Sequence, residues 1–544
     1  YYNYFKHFSV LECILLLMLG ITCTALAYTM YITNPVKTIL KQKLQMKPDS
    51  LIYSLWRKPP IEVYVKVYVF NVTNPVEFLD GKEPLRVQEV GPYVYQEILE
   101  NHNITWYDNG TMSYNPVRTV LYIPEMSVGD PLLDIVNVPN VPMLGISSAF
   151  HESGFFVNYP WVRLVNAFNS KPILNLTVHD YFWGYEDPLV RLAGGIVPSF
   201  FNFRKFGLLD RMYDEGNNTL LMNIREKEDM VDEIGRYLSI ELYNGSPGMA
   251  HWGYENEEEN VTNPENTICN RIRGASEGTI FPPNLDSRAT FRIYRKAFCK
   301  AIPISYQKEV SMENGLDGYL YSMTDSFFDP PNQNPENECY CRNMKTCLRK
   351  GLSDITPCYY TIPTALSMPH FLNADPSLNR NIEGLNPDPQ KHNTKIILQP
   401  DIGIPIQVNS RIQINLVMYN TSYNSKIAVF NDMVIPLFWS DLVSPINHNF
   451  TEIFVDLLFL IKLVLNVLPI VQTVLICLLG IGGVTMLVLS LLSTLWILNQ
   501  QQEQPIPGRR DSIDLRIPLS YGQYTSIRIL PAIKKMTSKT DLIS

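Results

Sequence analysis

Six of the nine cysteines, Cys269, Cys299, Cys339, Cys341, Cys347 and Cys358, crowd into the stretch 269 to 358. Thiols at that density either pair with one another or hold a metal. The spacing Cys339-x-Cys341-x5-Cys347 contains no Cys-x2-Cys knuckle, and no histidine falls inside the cluster, so zinc chemistry is disfavoured and no metal is assigned. An even, clustered set reads as disulfides, which places this part of the chain outside the cytosol and leaves every pairing among the six open. The same central part carries nine Asn-x-Ser/Thr acceptors for N-glycosylation, at Asn71, Asn103, Asn109, Asn175, Asn217, Asn244, Asn260, Asn420 and Asn449. Catalytic chemistry needs a nucleophile beside a base, a carboxylate pair or a metal cluster, and none is recognisable. The eight histidines are scattered, and His370, between Pro369 and Phe371, reads as a packed residue. Trp183, Tyr185 and Asp187 read as core and turn. Neither an enzyme nor a cofactor is implied.

These groups must be positioned by a membrane protein. From Phe8 to Ile32 the only charge is Glu12, and from Leu463 to Leu498 there is none, which meets the requirement of about 20 apolar residues for crossing a bilayer. The first stretch outruns a signal-peptide core and has no Ala-x-Ala end, so it is taken as a retained anchor. Pro469 interrupts the second stretch, predicting a separate amphipathic helix before it and a span after it. The expected layout is a cytoplasmic tail at 1–8, a span at 9–32, a glycosylated luminal or extracellular domain at 33–469, a span at 470–497 and a cytoplasmic tail at 498–544. Lys37, Lys41, Lys43 and Lys47 oppose this orientation under the positive-inside rule, but that rule weakens for long translocated domains. The tail lysines and arginines from Arg509 to Lys539 suit the cytoplasm, and a net charge of −8 argues against nucleic acid as a partner.

Within the domain, Ile61 to Phe70 alternates with its odd positions aliphatic, and Ile412, Ile414, Leu416 and Met418 alternate with Gln413 and Asn415; both predict half-buried strands. Dense apolar content predicts helix from Met143 to Tyr185. A second helix is expected from Asn217 onward, with Glu226, Glu228, Asp229, Asp232 and Glu233 on its polar face. Glu255, Glu257, Glu258 and Glu259 read as a solvated loop.

Several landmarks then fall in one order: Asn71-Val72-Thr73-Asn74-Pro75, Val90-Gly91-Pro92-Tyr93, Trp183-Gly184-Tyr185-Glu186-Asp187-Pro188, Phe281-Pro282-Pro283, Cys339-Tyr340-Cys341, Pro369-His370-Phe371-Leu372-Asn373-Ala374-Asp375-Pro376 and Gly384-Leu385-Asn386-Pro387. In these the chain resembles the class B scavenger receptors, a family of lipid and lipoprotein receptors that also includes a lysosomal integral membrane protein and insect sensory neuron membrane proteins. The resemblance implies an α+β fold: an antiparallel β-rich ectodomain with an apical helical bundle and an internal hydrophobic tunnel, tethered by two transmembrane helices. It implies the pairs Cys269 with Cys339, Cys299 with Cys358 and Cys341 with Cys347. It also implies ligand contacts on the apical helices, carried over as Phe155, Phe156, Trp161, Phe168 and Lys171. One departure is that the C-terminal tail has no cysteine for palmitoylation.

The leading expectation is a receptor that binds lipids or lipoprotein particles and passes lipid toward the membrane, since an apolar tunnel needs little polar chemistry. The alternative is a trafficking receptor for a soluble luminal protein. For that reading the tail offers Tyr524-Thr525-Ser526-Ile527, the tyrosine-x-x-apolar form of a sorting signal read by adaptor proteins. The expected location is the plasma membrane or, for the alternative, the endosomal or lysosomal membrane. A channel is disfavoured because the spans carry almost no polar residues beyond Glu12 and Gln472. Gly20, Thr24, Gly480, Gly482 and Gly483 read as sites of close helix packing.

Overall fold

The computed structural model describes residues 9–196, 203–213, 218–225, 234–255, 263–311, 316–341, 347–421, 423–444, 448–503, 515–519 and 523–527. It divides into two compact units, Ile39–Val467 and a second built from both chain ends, Tyr1–Thr38 with Leu468–Ser544.

The Ile39–Val467 unit is organised by a fourteen-stranded sheet among the described residues. Its strands follow the order Phe291–Arg295, Lys300–Ser311, Asp317–Met323, Lys395–Gln399, Ile404–Val417, Val434–Ser444, Val63–Val72, Leu85–Tyr107, Thr111–Tyr122, Leu220–Asn223 and Ile240–Tyr243, with short strands branching off. The ladders are antiparallel apart from Ile382–Glu383 alongside Leu85–Arg86. The two edge strands meet through the segment Gly274–Ser276. The Ile240 N–H donates to the Ala275 carbonyl at 2.8 Å and the Gly274 N–H to the Ile240 carbonyl at 2.9 Å, while the Ser276 N–H reaches the Arg292 carbonyl at 2.7 Å. Closure satisfies backbone groups that an open edge would expose, and it encloses an interior.

The strand expected at Ile61 to Phe70 forms at Val63–Val72, and Val65, Val67 and Val69 are buried as the alternation requires. Tyr64 and Phe70 on the opposite face are buried too, because other chain segments cover this central strand on both sides. The same holds at Ile404–Val417. Gln413 and Asn415, expected at the solvent, are fully buried and joined by a 2.8 Å hydrogen bond, with Asn415 Nδ2 also donating to Ser367 Oγ at 2.9 Å.

Two expected helices come out differently. The apolar stretch from Met143 splits into helices Val141–Ala149, Phe155–Ala167 and Val178–Trp183, and the strand Ile173–Thr177 pairs with Ile135–Pro139 before the third. After Asn217 the chain forms the strand Leu220–Asn223, zipped between Thr111–Tyr114 and Ile240–Tyr243; the acidic positions 226–233 lie outside the described residues, as do 257–259 of the acidic loop. Tertiary strand pairing overrides local preference here.

The disulfides are Cys269–Cys339, Cys299–Cys358 and Cys341–Cys347, the pairing the resemblance implied.

In the unit built from the chain ends, the helix Val10–Thr33 begins with a capping box in which Ser9 and Glu12 exchange bonds. Pro469 does not break the second apolar stretch: a single helix runs His448–Glu503 with the proline inside it. Loss of one backbone donor is tolerated in so long an apolar helix. Of the small residues expected at close helix packing, Gly20, Thr24 and Gly483 are in close contact, whereas Gly480 and Gly482 have open space where a Cβ would stand. A Cβ on Gly20 would lie 2.8 Å from Leu487, and one on Gly483 would lie 2.6 Å from Thr24. Ser490 Oγ donates to the Cys13 carbonyl at 2.8 Å, and Gln472, one of the few polar residues of the spans, accepts from the Val36 N–H at 3.1 Å and donates to Asn34 and Met30.

Candidate functional site

The chain enters the sheet through the helix Leu51–Arg57, which Ser50 caps and which Pro59-Pro60 prevents from continuing. Trp56 on this helix is buried, and together with the closed sheet it surrounds an interior cavity of about 390 Å³. Its apolar wall includes Ile61, Val63, Ile98, Ile280, Ile293, Phe298, Ile396, Ile404, Val408 and Leu442. Those residues come from all three hydrophobic clusters of the unit, so the cavity lies where the clusters meet without filling the space between them. A chamber of about 40 Å³ adjoins it and shares Arg295, Phe298, Ser410 and Leu442 as walls. A further space of about 30 Å³, among Val141, Phe206, Leu208 and Phe438, shares Met212 with that chamber.

Six ionisable groups, Lys58, Glu62, Glu97, Arg118, Glu277 and Arg295, interrupt the apolar wall. Glu97 is buried and forms ion pairs with Arg295 at 2.8 Å and Arg118 at 3.3 Å, and it accepts a 2.8 Å hydrogen bond from Tyr213. Burial opposes its charge, but Arg295 and Arg118 outweigh that and hold the carboxyl below its usual range. Glu277, also buried, accepts from Trp56 Nε1 at 2.6 Å, Tyr114 Oη at 2.5 Å and Thr279. Paired in this way, charges persist in an apolar interior. Sequence reasoning missed this set because its members are spread from Lys58 to Arg295. A signal existed nonetheless: Glu97 occupies the inward phase of the alternation Tyr93, Tyr95, Glu97.

Among the ligand contacts carried over from the resemblance, the helix Phe155–Ala167 presents an aromatic face. Phe156 is 90% exposed and Phe155 52%, and Phe155 stacks on Tyr159 and meets Tyr423 edge-on. Phe168 is exposed just beyond the helix, and Lys171 is exposed with its carbonyl taken by Asn140 Nδ2. Trp161 differs. It packs edge-on against Phe150 and donates its Nε1–H to Ser147 at 2.8 Å, so it anchors the helix from beneath.

Of the glycosylation acceptors, Asn103, Asn109, Asn175, Asn244 and Asn420 are exposed, and Asn71 is half-buried with its Oδ1 accepting from the Asn137 N–H. Asn217, Asn260 and the side chain of Asn449 lie outside the described residues. Tyr524 and Ile527 fall on the strand Gln523–Ile527, which pairs with Leu515–Leu519; their side chains lie outside the described set.

Glu89, His370 and His392 bring three possible metal-ligand atoms within 4.8 Å of one another. Nδ1 of His370 accepts from the Asn386 N–H at 3.1 Å, and Nδ1 of His392 from the Asp388 N–H at 2.9 Å. Each neutral ring therefore carries its proton on Nε2 and has no lone pair there for a cation. His370 Nε2 donates to Glu89 at 2.6 Å and Trp439 Nε1 donates to the same carboxylate at 2.7 Å, so Glu89 is clasped by two donors while His392 stacks on His370. His370 is the packed residue the sequence suggested, and Asp187 likewise serves a turn, accepting from the N–H groups of Leu189 and Val190.

A family profile matches residues 13–494 of this chain, a range that takes in the closed sheet, the three disulfides and most of the two long apolar helices. The chain belongs to the CD36 family. It is 28% identical over 474 residues to scavenger receptor class B member 1 of Rattus norvegicus, covering 87% of each chain. It is also 28% identical to lysosome membrane protein 2 of Homo sapiens over 74% of this chain and 78% of that one, and to sensory neuron membrane protein 1 of Mamestra brassicae over 80% and 82%. As a CD36-family member it is a membrane protein of the class B scavenger receptor type.

Proposed function

We propose that this receptor binds lipids or lipoprotein particles on the aromatic face of the helix Phe155–Ala167 and passes lipid through the interior cavity toward the membrane, without covalent catalysis. The observation that carries the reading is the apolar cavity inside the closed sheet. Each methylene moved from water into such a space contributes about 0.8 kcal/mol, so a long acyl chain needs no further chemistry to be retained. The segments that wall the cavity at Trp56–Val63 and Ser444 are also among those closest in sequence to the two spans, which suits delivery to a bilayer. In this reading Ile39–Val467 is luminal or extracellular, both termini are cytoplasmic, and the exposed acceptor asparagines carry glycans.

Organic extraction of the purified, glycosylated protein followed by mass spectrometry tests it. Recovery of one lipid class near one molecule per chain, above a mock control, is the expected result; no lipid above control refutes it. The exposed aromatic face also fits a soluble protein ligand, the second reading, in which Tyr524 and Ile527 address the receptor to endosomes. Tyr524→Ala with unchanged endosomal distribution removes that support.

A further inference from the structure

Beside the turn that ends strand Ile240–Tyr243 lies another large cavity, of about 370 Å³, which shares no described wall residue with the apolar one. Its wall mixes aromatic rings with amides, hydroxyls and cations, among them Tyr243, Tyr294, Asn218, Ser246, Lys296 and Arg211. A hydrocarbon chain would strip water from those polar groups and give no hydrogen bond in return. Asn244 is also on this wall, and with Ser246 it forms the acceptor Asn244-Gly245-Ser246. We propose that the cavity seats the first N-acetylglucosamine units of a glycan carried by Asn244.

The local sequence fixes where such a glycan starts. Asn-Gly is a preferred pair for a two-residue hairpin loop, since both residues must take positive φ. Asn244 has φ 51° and Gly245 φ 81°, and the loop is closed by the Tyr243 N–H on the Ser246 carbonyl at 2.8 Å and the Ser246 N–H on the Tyr243 carbonyl at 3.0 Å. The acceptor amide is held at both ends: Oδ1 accepts from the Thr219 N–H at 2.8 Å, and Nδ2 donates to Asn218 Oδ1 at 2.8 Å. Nδ2 carries a second hydrogen. The bond to the sugar replaces that one, so the bond to Asn218 is kept and the glycan leaves from a fixed turn at the cavity wall. A sugar ring has apolar C–H faces, which suit Tyr243 and Tyr294, whose rings meet edge-on with centroids 5.2 Å apart. Its hydroxyls and acetamide suit the amide of Asn218, the hydroxyl of Ser246 and the ammonium of Lys296. Because the sugar is tethered at the rim, seating is intramolecular and needs little intrinsic affinity.

The inference rests on the reading that exposed acceptors carry glycans, and the test separates the two. The full-length glycosylated protein in detergent is treated with peptide-N-glycosidase F, natively and after denaturation, and release at each acceptor is followed by mass spectrometry of the peptides. Native release at Asn244 is expected to be about tenfold slower than at Asn109, Asn175 and Asn420, the factor that one net hydrogen bond gives, and to match them after denaturation. An unmodified Asn244 in the untreated protein overturns both the glycan at this acceptor and its seat. A modified Asn244 released natively as fast as the others overturns the seat alone. Ala250 is an exposed residue of the cavity wall, and Ala250→Trp sets an indole where the sugar would lie. This variant is expected to bring native release at Asn244 level with the other acceptors; release that stays slow means that the turn and not the cavity protects the glycan, and overturns the seat. Should Ala250→Trp not fold, Lys296→Ala at an exposed position decides, with faster native release at Asn244 expected and an unchanged rate overturning the seat.

Discussion

Acidification is expected to weaken the Ile39–Val467 unit through His392, and the size of the effect can be worked from its surroundings. The ring is 4% exposed, stacks on His370 with centroids 4.5 Å apart and accepts the Asp388 N–H on Nδ1. Protonation would put an N–H against that N–H. Burial first, then the neighbouring His370, pushes its pKa down from 6.5 to about 4, against the smaller opposing pull of Glu89 and Asp388. Between those values the unfolded chain binds more protons than the folded one, so stability rises with pH across the window and is lost as pH falls through it. Linkage gives a loss of about 2 kcal/mol on going from pH 7.4 to pH 5. For a unit of this size that is about 2 °C in melting temperature. His392→Gln keeps an acceptor for Asp388 but cannot titrate. Thermal unfolding of both proteins by tryptophan fluorescence at the two pH values is the assay. The variant is expected to lose about 2 °C less than the wild type; an identical loss refutes the assignment to His392.

Other consequences follow from particular side chains. Ile98→Trp pushes an indole into the cavity and is expected to abolish co-purifying lipid while the membrane protein still reaches its normal glycosylated size, as read by extraction and gel mobility. Phe156→Ser removes the most exposed aromatic of its helix, and is expected to leave unfolding within about 0.5 kcal/mol of wild type while weakening lipoprotein-particle binding in a surface assay. Lys300 is fully buried, donates to Ser353 at 2.7 Å and lies 3.3 Å from the Tyr340 ring; burial pushes its pKa well below the usual lysine value. Lys300→Met is expected to fold with stability within about 2 kcal/mol of wild type, and to remove a rise in stability with alkaline pH that denaturant titration would show. Gly20→Ile sets a side chain where a Cβ already lies 2.8 Å from Leu487, and is expected to reduce surface yield by forcing the two apolar helices apart.

Local chemistry wrote much of this protein into its sequence. The two apolar stretches, the cysteine cluster, the alternation at Ile61 to Phe70 and the family landmarks each depend on residue type and near-neighbour spacing, so they were legible without coordinates. Burial of Val65, Val67 and Val69 and the three disulfides agree with that reading. Which face a strand hides was not legible. Gln413 and Asn415 look solvent-facing in sequence, yet distant segments cover them, and their amides are satisfied by Ser367 and His370 from elsewhere in the chain. The strand Leu220–Asn223 exists because two partners hold it, and the helix through Pro469 persists because its neighbouring turns carry it past one missing donor. That Trp161, carried over as a ligand contact, also donates to Ser147 beneath its helix was not legible either, since only packing decides which side of a helix meets Ser147. The apolar cavity and the charged groups on its wall are the furthest from sequence. An empty space has no residues of its own, and Glu97, Arg118, Glu277 and Arg295 meet only because antiparallel pairing and the closure at Gly274–Ser276 bring distant strands around one interior.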